Sequence, residues 1–338
     1  MASVRTFVAR QRGNPMIATL MVLVVLVVIF SMTSSRFLTW ENFLNVTRSS
    51  STVIIVASAV TLVMIARGLD LSVGSVLAVS VVVSAKLAST GTPLPMAYLA
   101  ALATGLAFGL LNAAFIVGLR VSPIIATLGT LNIARGAAFL ITSSAILVGL
   151  PSNWADLGTG YMFGVVPYPI IVAALVALFF SVLLNYTVFG RNVYAVGGNE
   201  EAARIAGVNV PRMYIALYAM SGLATGLAAI VLGSRLGAGD PNIGVGFEFD
   251  VIVAVILGGT SLAGGEGRIS GTVLGALIVA VLSNGLNLAG VEPFWQYVAK
   301  GVALVVAVVI DRVTRVERES RQTRAPVAAP GQTADPGA

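Results

Sequence analysis

The sequence predicts an all-α polytopic membrane protein with about ten transmembrane helices. Three observations carry this. The 338 residues are 57% apolar and only 10% charged, against about 25% charged in soluble domains. Apolar runs of near-spanning length recur along the chain. The arginines are distributed unevenly between the connections.

A helix rises about 1.5 Å per residue, so about 20 residues cross a hydrocarbon core. Ten segments qualify: 16–33, 51–67, 72–89, 95–118, 122–142, 166–188, 213–233, 249–264, 271–289 and 294–311. An even count puts both termini on one side. Placing the N-terminus inside leaves fourteen arginines in inner stretches: Arg5, Arg10, Arg12, Arg67, Arg120, Arg191, Arg204, Arg212, Arg268, Arg312, Arg315, Arg318, Arg321 and Arg324. The outer stretches hold three, Arg36, Arg48 and Arg235. Positive charge favours the cytoplasmic side, so both termini are expected in the cytoplasm of a multi-pass protein. The net charge of +6 then reflects topology rather than nucleic-acid binding.

Residues 1–15 read as a cytoplasmic N-terminal segment. Their arginines precede the apolar run from Met16 to Phe30 like a signal peptide, but no clean small-x-small site follows, which suggests a retained first span. Residues 16–312 form the transmembrane domain. The tail 313–338, rich in Arg, Pro, Ala and Gly, reads as disordered. The outer connection 143–165 lacks Lys and Arg, and its Trp154, Tyr161 and Phe163, with Tyr168, suit an interfacial aromatic belt. Gly105-x3-Gly109, Gly222-x3-Gly226 and Gly271-x3-Gly275 are faces for close helix packing within the bundle.

The chain has no Cys and no His. That removes disulfides, thiolate or imidazole metal sites and the commonest nucleophile and acid–base chemistry. No metal site and no cofactor of its own are expected. The glycine-rich run 258–268 is not a phosphate loop, because that motif needs Gly-Lys-Ser/Thr and neither Lys86 nor Lys300 precedes Ser or Thr. Any ATP-driven role therefore needs a separate ATPase subunit.

Three polar clusters interrupt the apolar pattern. In Arg67-Gly-Leu-Asp-Leu-Ser-Val-Gly74, polar and apolar residues alternate between two spans. An Asp at membrane depth costs about 2.5–3.5 kcal/mol. Asp70 and Ser72 belong either to a broken element lining a cavity or to a short turn in which Asp70 caps the next helix. In 122–136, Thr127, Thr130 and Arg135 fall near one helix face, with Asn132 off that stripe. Such groups suit a neutral, hydroxyl-rich ligand, or interhelical hydrogen bonds worth about 0.6–2 kcal/mol each. A membrane-embedded Arg135 needs a partner or water. Glu248 and Asp250, near the outer surface, suit docking of another protein or a helix N-terminus.

The fourth interruption is a 24-residue loop, Phe189–Arg212. Asn199 can cap a one- or two-turn helix with Glu200 and Glu201 in its first turn. Gly207 can end it, and Pro211 opposes continuation. Connections in bundles usually run about 2–8 residues, so this length points to a partner.

Glu201-Ala202-Ala203-x3-Gly207 resembles the coupling signature of ABC importer permeases, in which this helix sits in a cleft of the ATPase. The surrounding Phe-Gly190-Arg191-Asn-Val-Tyr-Ala-Val-Gly-Gly-Asn199 is similar to the ribose-type branch of monosaccharide permeases. So are Gly-Leu-Asp-Leu-Ser-Val-Gly at 68–74, Thr-Leu-Gly-Thr-Leu at 127–131 and Ile-Leu-Gly-Gly-Thr-Ser-Leu-x-Gly-Gly at 256–265. One departure is Arg67-Gly68, where relatives often carry Gly-Gly. The resemblance spans roughly residues 40–312. It implies the ten-span importer permease fold, in two halves of opposite orientation. It also implies coupling residues Gly190, Arg191, Asn199, Glu200, Glu201, Ala202, Ala203 and Gly207. The implied partners are a cytoplasmic ABC ATPase, a periplasmic or lipid-anchored sugar-binding protein and a second permease copy or paralogue, all at a bacterial inner membrane. The cargo expected is a monosaccharide or polyol. The alternatives are a branched-chain amino acid ABC permease and an ion-coupled secondary carrier, for which Asp70 is the obvious acid.

Overall fold

A computed structural model describes residues 15–309 apart from 293 and 307. The N-terminal segment 1–14 and the tail from 310 lie outside the described residues. Helices in chain order are α1 (Pro15–Thr33), α2 (Trp40–Ile65), α3 (Val73–Ser89), α4 (Leu94–Ala113, extended by a π-helical turn Ala114–Gly118) and α5 (Pro123–Thr142). A 3₁₀ turn (Ser152–Ala155), α6 (Asp156–Thr159) and a small hairpin, β1 (Tyr161–Met162) against β2 (Val166–Pro167), follow. Then come α7 (Tyr168–Tyr186), α8 (Val188–Gly198), α9 (Glu200–Ile205), α10 (Val210–Leu236), α11 (Phe247–Leu257), α12 (Ile269–Leu288) and α13 (Phe294–Val306).

Seven of these are long and apolar enough to cross a membrane: α1, α2, α4 with its π turn, α5, α7, α10 and α12. The expected count of ten full-length spans is not reached among the described residues. The expected segment 72–89 is the shorter α3 of 17 residues. The expected segment 249–264 is helical only to Leu257, because Gly259, Gly264 and Gly265 take positive φ. Of 294–311, the described helix covers 294–306.

Among the seven helices of spanning length, α2 is the most buried and α1 the least. Two close crossings organise the bundle. In the first, Gly105 and Gly109 of α4 face Gly222 and Gly226 of α10, so near that a Cβ on Gly222 would strike the Gly105 carbonyl. In the second, Gly271 and Gly275 of α12 press on Gly258 and Ala254 of α11. All three expected small-x3-small faces thus serve packing inside the bundle. Polar contacts support the crossing of α2 and α12: Thr61 Oγ1 lies 2.7 Å from Thr272 Oγ1, and Asn42 and Asn284 exchange amide hydrogen bonds of 3.0 and 2.8 Å.

The connection after α10 returns into the protein. Gly237, with φ of 66°, ends the helix. Gly239 pairs with Leu147 through two backbone bonds of 2.9 Å. Gly239 packs on Ala85 near the end of α3, whereas Gly244 packs on Gly74 at its start. The segment 239–244 therefore runs beside α3, and α11 begins next to the first turn of α3. Trp154 corrects the aromatic-belt expectation. It is 1% exposed, donates from Nε1 to the Gly233 carbonyl at 2.9 Å and packs on Tyr98. Phe163, at 92% exposed, remains at the surface.

The α4–α10 crossing yields a prediction. Gly222→Val should destabilise the detergent-solubilised protein by about 1–3 kcal/mol, as overpacking does. Gly136→Ala, where added atoms meet open space, should stay within about 0.5 kcal/mol of the parent. Thermal unfolding compares the two, and equal melting temperatures would contradict this packing.

Candidate functional site

The expected loop 189–212 is mostly helical. Thr187 caps α8, its hydroxyl accepting from the Gly190 N–H at 3.2 Å. Gly190 packs so tightly on the Leu184 carbonyl that a side chain has no room, and Arg191 is exposed. Asn199 caps α9, its Oδ1 accepting from the Ala202 N–H at 3.0 Å. Glu200 and Glu201 occupy the first turn, where the positive dipole end favours them. Gly207, with φ of 90°, closes α9 in a Schellman arrangement: its N–H donates to Arg204 O, and the Val208 N–H donates to Ala203 O, both at 3.0 Å. Asn209 then caps α10 by accepting from the Arg212 N–H at 3.1 Å. Pro211 sits in the first turn of α10, so it starts the next helix rather than only opposing the last.

Of the six residues of α9, Ala203 is the buried one. Glu200, Glu201, Ala202, Arg204 and Ile205 are exposed. Glu201 and Arg204 form an ion pair at 2.6 Å, and the hydrogen bond from Arg204 and its charge hold the Glu201 carboxyl below the usual range. A six-residue helix is too short to persist alone. Its caps and its short joints to α8 and α10 hold it in place, with an apolar Ile205 at 79% exposure on its free surface.

The second centre lies inside the bundle at the start of α3. Asp70 is 2% exposed. Its Oδ1 accepts from the Ser72 N–H at 3.1 Å and from Ser72 Oγ at 2.6 Å, and its Oδ2 accepts from Ser221 Oγ at 2.7 Å. Asn112 Nδ2 donates to Ser72 Oγ at 2.8 Å, and Tyr218 Oη donates to the Leu69 carbonyl at 3.1 Å. Of the two sequence readings, the side chain follows the broken element within protein. Asp70 does bond the Ser72 backbone, but the helix cap residue is Ser72, whose own side chain makes no capping bond.

The threonines of α5 approach the same place. Thr127 is buried and donates to Pro123 O at 2.8 Å, with the Leu69 carbonyl 3.5 Å away. Thr130 is buried, and its Oγ1 has no hydrogen-bond partner among the described residues. Asn132 is exposed and bonds Leu128 O of its own helix, so it stands apart. Arg135 donates from Nη1 to the Pro241 and Ile243 carbonyls at 2.7 and 2.9 Å. It thereby ties α5 to the returning segment. Its hydrogen bonds go to backbone carbonyls, with the Glu248 and Asp240 carboxylates close enough to act on its charge.

Glu248 and Asp250 are largely buried. Glu248 is 8% exposed and its carboxylate fills the space left by Gly74. Asp250 pairs with Lys300 at 2.8 Å, with only 16% of its side chain exposed. Both lie in the first turn of α11, where the helix N-terminus reading puts them. Sequence reasoning missed Ser221, Asn112, Tyr218 and Lys300. The available signal was a lone polar residue in an apolar run, which cannot identify its partner across the bundle.

The family described as branched-chain amino acid transport system / permease component matches residues 42–308. The chain is similar to the ribose import permease protein RbsC of Escherichia coli K12, 41% identical over 298 residues, covering 87% of this chain and 92% of that protein. It is 40% identical over 292 residues to RbsC of Bacillus subtilis 168, covering 86% and 90%. It is 36% identical over 300 residues to the L-arabinose ABC transporter permease protein AraH of Azospirillum brasilense, covering 89% and 88%. No solved structure matches the chain.

Asp70→Ala should leave the Ser72 and Ser221 hydroxyls without their acceptor and cost about 1–3 kcal/mol. Asp70→Asn keeps an acceptor oxygen and should cost less. Chemical or thermal unfolding of both variants checks the order, and an Ala variant as stable as the Asn variant would remove the cluster's structural role.

Proposed function

The chain belongs to the branched-chain amino acid transport system / permease component family, and from that membership we propose that it is the membrane-spanning permease subunit of an ATP-driven sugar importer. It is a transport component rather than an enzyme. The cargo class is a monosaccharide or polyol, because the relatives named above carry ribose and arabinose in their names. The family description alone would favour branched-chain amino acids, but 41% identity to a ribose permease outweighs a family-wide label. An ion-coupled carrier would need a titratable group free to exchange its ion. Against it, the Asp70 carboxylate is engaged by Ser72 and Ser221.

One observation carries the coupling part of this reading. A short, capped helix with the Glu-Ala-Ala-x3-Gly spacing stands on the surface, with Ala203 its buried residue. The inner bias of the arginines supports putting this end in the cytoplasm, with both termini. There α9 would sit in a cleft of an ABC ATPase, its exposed Ile205 and the Glu201–Arg204 pair at the contact. A sugar-binding protein would dock on the opposite end, and a second permease copy or paralogue would complete the pathway. The ten-span importer arrangement fits if α3, α11 and α13 count as the three shorter elements. ATP-driven closure of the ATPase pair would push α9 and reorient the helices around the Asp70, Ser72, Thr127 and Thr130 region.

The double variant Glu201→Lys, Gly207→Arg tests the coupling surface. It reverses a charge and places a side chain at φ of 90°. Copurification with the ATPase and ATP-dependent sugar uptake should both fall to background. If both survive at parental levels, α9 is not the coupling element.

A further inference from the structure

Three backbone segments converge beside α9. They are residues 65–68 after α2, the end of α8 at Gly197–Gly198, and the glycine loop 264–267. Gly197 sits against the Ile65 carbonyl with no room for a Cβ, and a Cβ on Gly264 would strike Arg67 Cγ. The Gly265 N–H donates to Ile65 O at 2.8 Å, and Tyr194 Oη donates to Gly267 O at 2.7 Å. Arg67 lies at the centre of this junction. Its φ is 64°, a left-handed conformation that side chains disfavour. Its Nε donates to Gly197 O and its Nη2 donates to Gly198 O, both at 2.8 Å. Those are the last carbonyls of α8, groups without helical partners at the negative end of the dipole. The next residue, Asn199, is the cap of α9.

The same short stretch reaches the buried cluster. Three residues after Arg67 comes Asp70, held by Ser72 and Ser221. Leu69 O is held by Tyr218, and Ser72 by Asn112 of α4. Residues 67–72 therefore join the cap of α9 to α4 and α10 by a hydrogen-bonded path with no helical turn to absorb motion.

We propose that Arg67 is a positioning residue whose guanidinium locks the α8–α9 joint to the Asp70 segment, so that a displacement of α9 moves the buried polar cluster. This rests on the permease reading above. A guanidinium suits the task because its fork spans two adjacent carbonyls, which a single ammonium cannot match. If Arg67 merely capped α8, its loss would lower the yield of folded complex and reduce uptake in proportion. A relay changes a different quantity, the number of ATP hydrolysed per sugar imported.

The test reconstitutes the complete transporter, with ATPase and sugar-binding protein, in vesicles. Arg67→Gly removes the lock while fitting the left-handed backbone, and Arg67→Lys keeps the charge. For Arg67→Gly the complex should be recovered at parental yield, with the ATP-to-sugar ratio raised about tenfold, within the range of measured site-to-site couplings. Arg67→Lys should fall between. A parental ratio in Arg67→Gly overturns the relay, and so does an uptake loss that only tracks complex yield. If the parent complex shows no ATP-dependent sugar uptake, the permease reading fails and the relay with it. Parental uptake with an unaltered ratio in the glycine variant sinks the relay alone.

Discussion

Backbone that leaves the helix inside an apolar protein must find every hydrogen bond within the protein. In the segment between α2 and α3, several backbone groups find such partners. Arg67 and Gly68 N–H donate back to Met64 and Val63 carbonyls. Ile65 O accepts from Gly265, Ala66 O from Tyr214 and Leu69 O from Tyr218. The Ser72 N–H goes to Asp70. The partners come from α2, α10, the glycine loop and the segment itself. The break is thus stable only because distant parts of the chain are packed around it, and α8, α9 and α10 inherit their positions from that packing.

Glycine makes the close approach possible. Where α4 crosses α10, and where α11 crosses α12, backbone lies on backbone with no Cβ between them. In lipid there is little hydrophobic drive between helices, so contact area and internal polar bonds hold the bundle together. The same economy of side chain recurs at Gly74 and Gly244, where the starts of α3 and α11 meet. The Glu248 carboxylate occupies the space that Gly74 leaves open. Packing and polar content are therefore linked: a small residue on one element admits a polar side chain from another.

Much of the fold was legible in the sequence because lipid imposes a simple rule on composition. Apolar runs of spanning length located α1, α5, α7, α10 and α12 closely. The cap residues of α9 were also readable, since Asn199 and Gly207 act on neighbours only a few residues away. The broken regions were harder. The run 249–264 satisfied a hydropathy criterion although its second half is a glycine loop, and Trp154 looked interfacial although it is buried against Tyr98 and Gly233. Composition measures how apolar a stretch is, not whether its surroundings are lipid or protein.

By itself, the sequence determined the apolar surroundings this protein needs, the absence of a phosphate loop, and the local chemistry that shapes α9. These follow from residue type and short spacing. Only the tertiary structure decided that Asp70 faces Ser221, that Arg135 holds the 241–243 carbonyls, that Glu248 and Asp250 are largely buried, and that Arg67 grips the end of α8. The side-chain hydrogen bonds among them join residues 50 to 151 positions apart. A polar side chain in an apolar run announces that it needs a partner, but which partner it finds depends on how the helices cross.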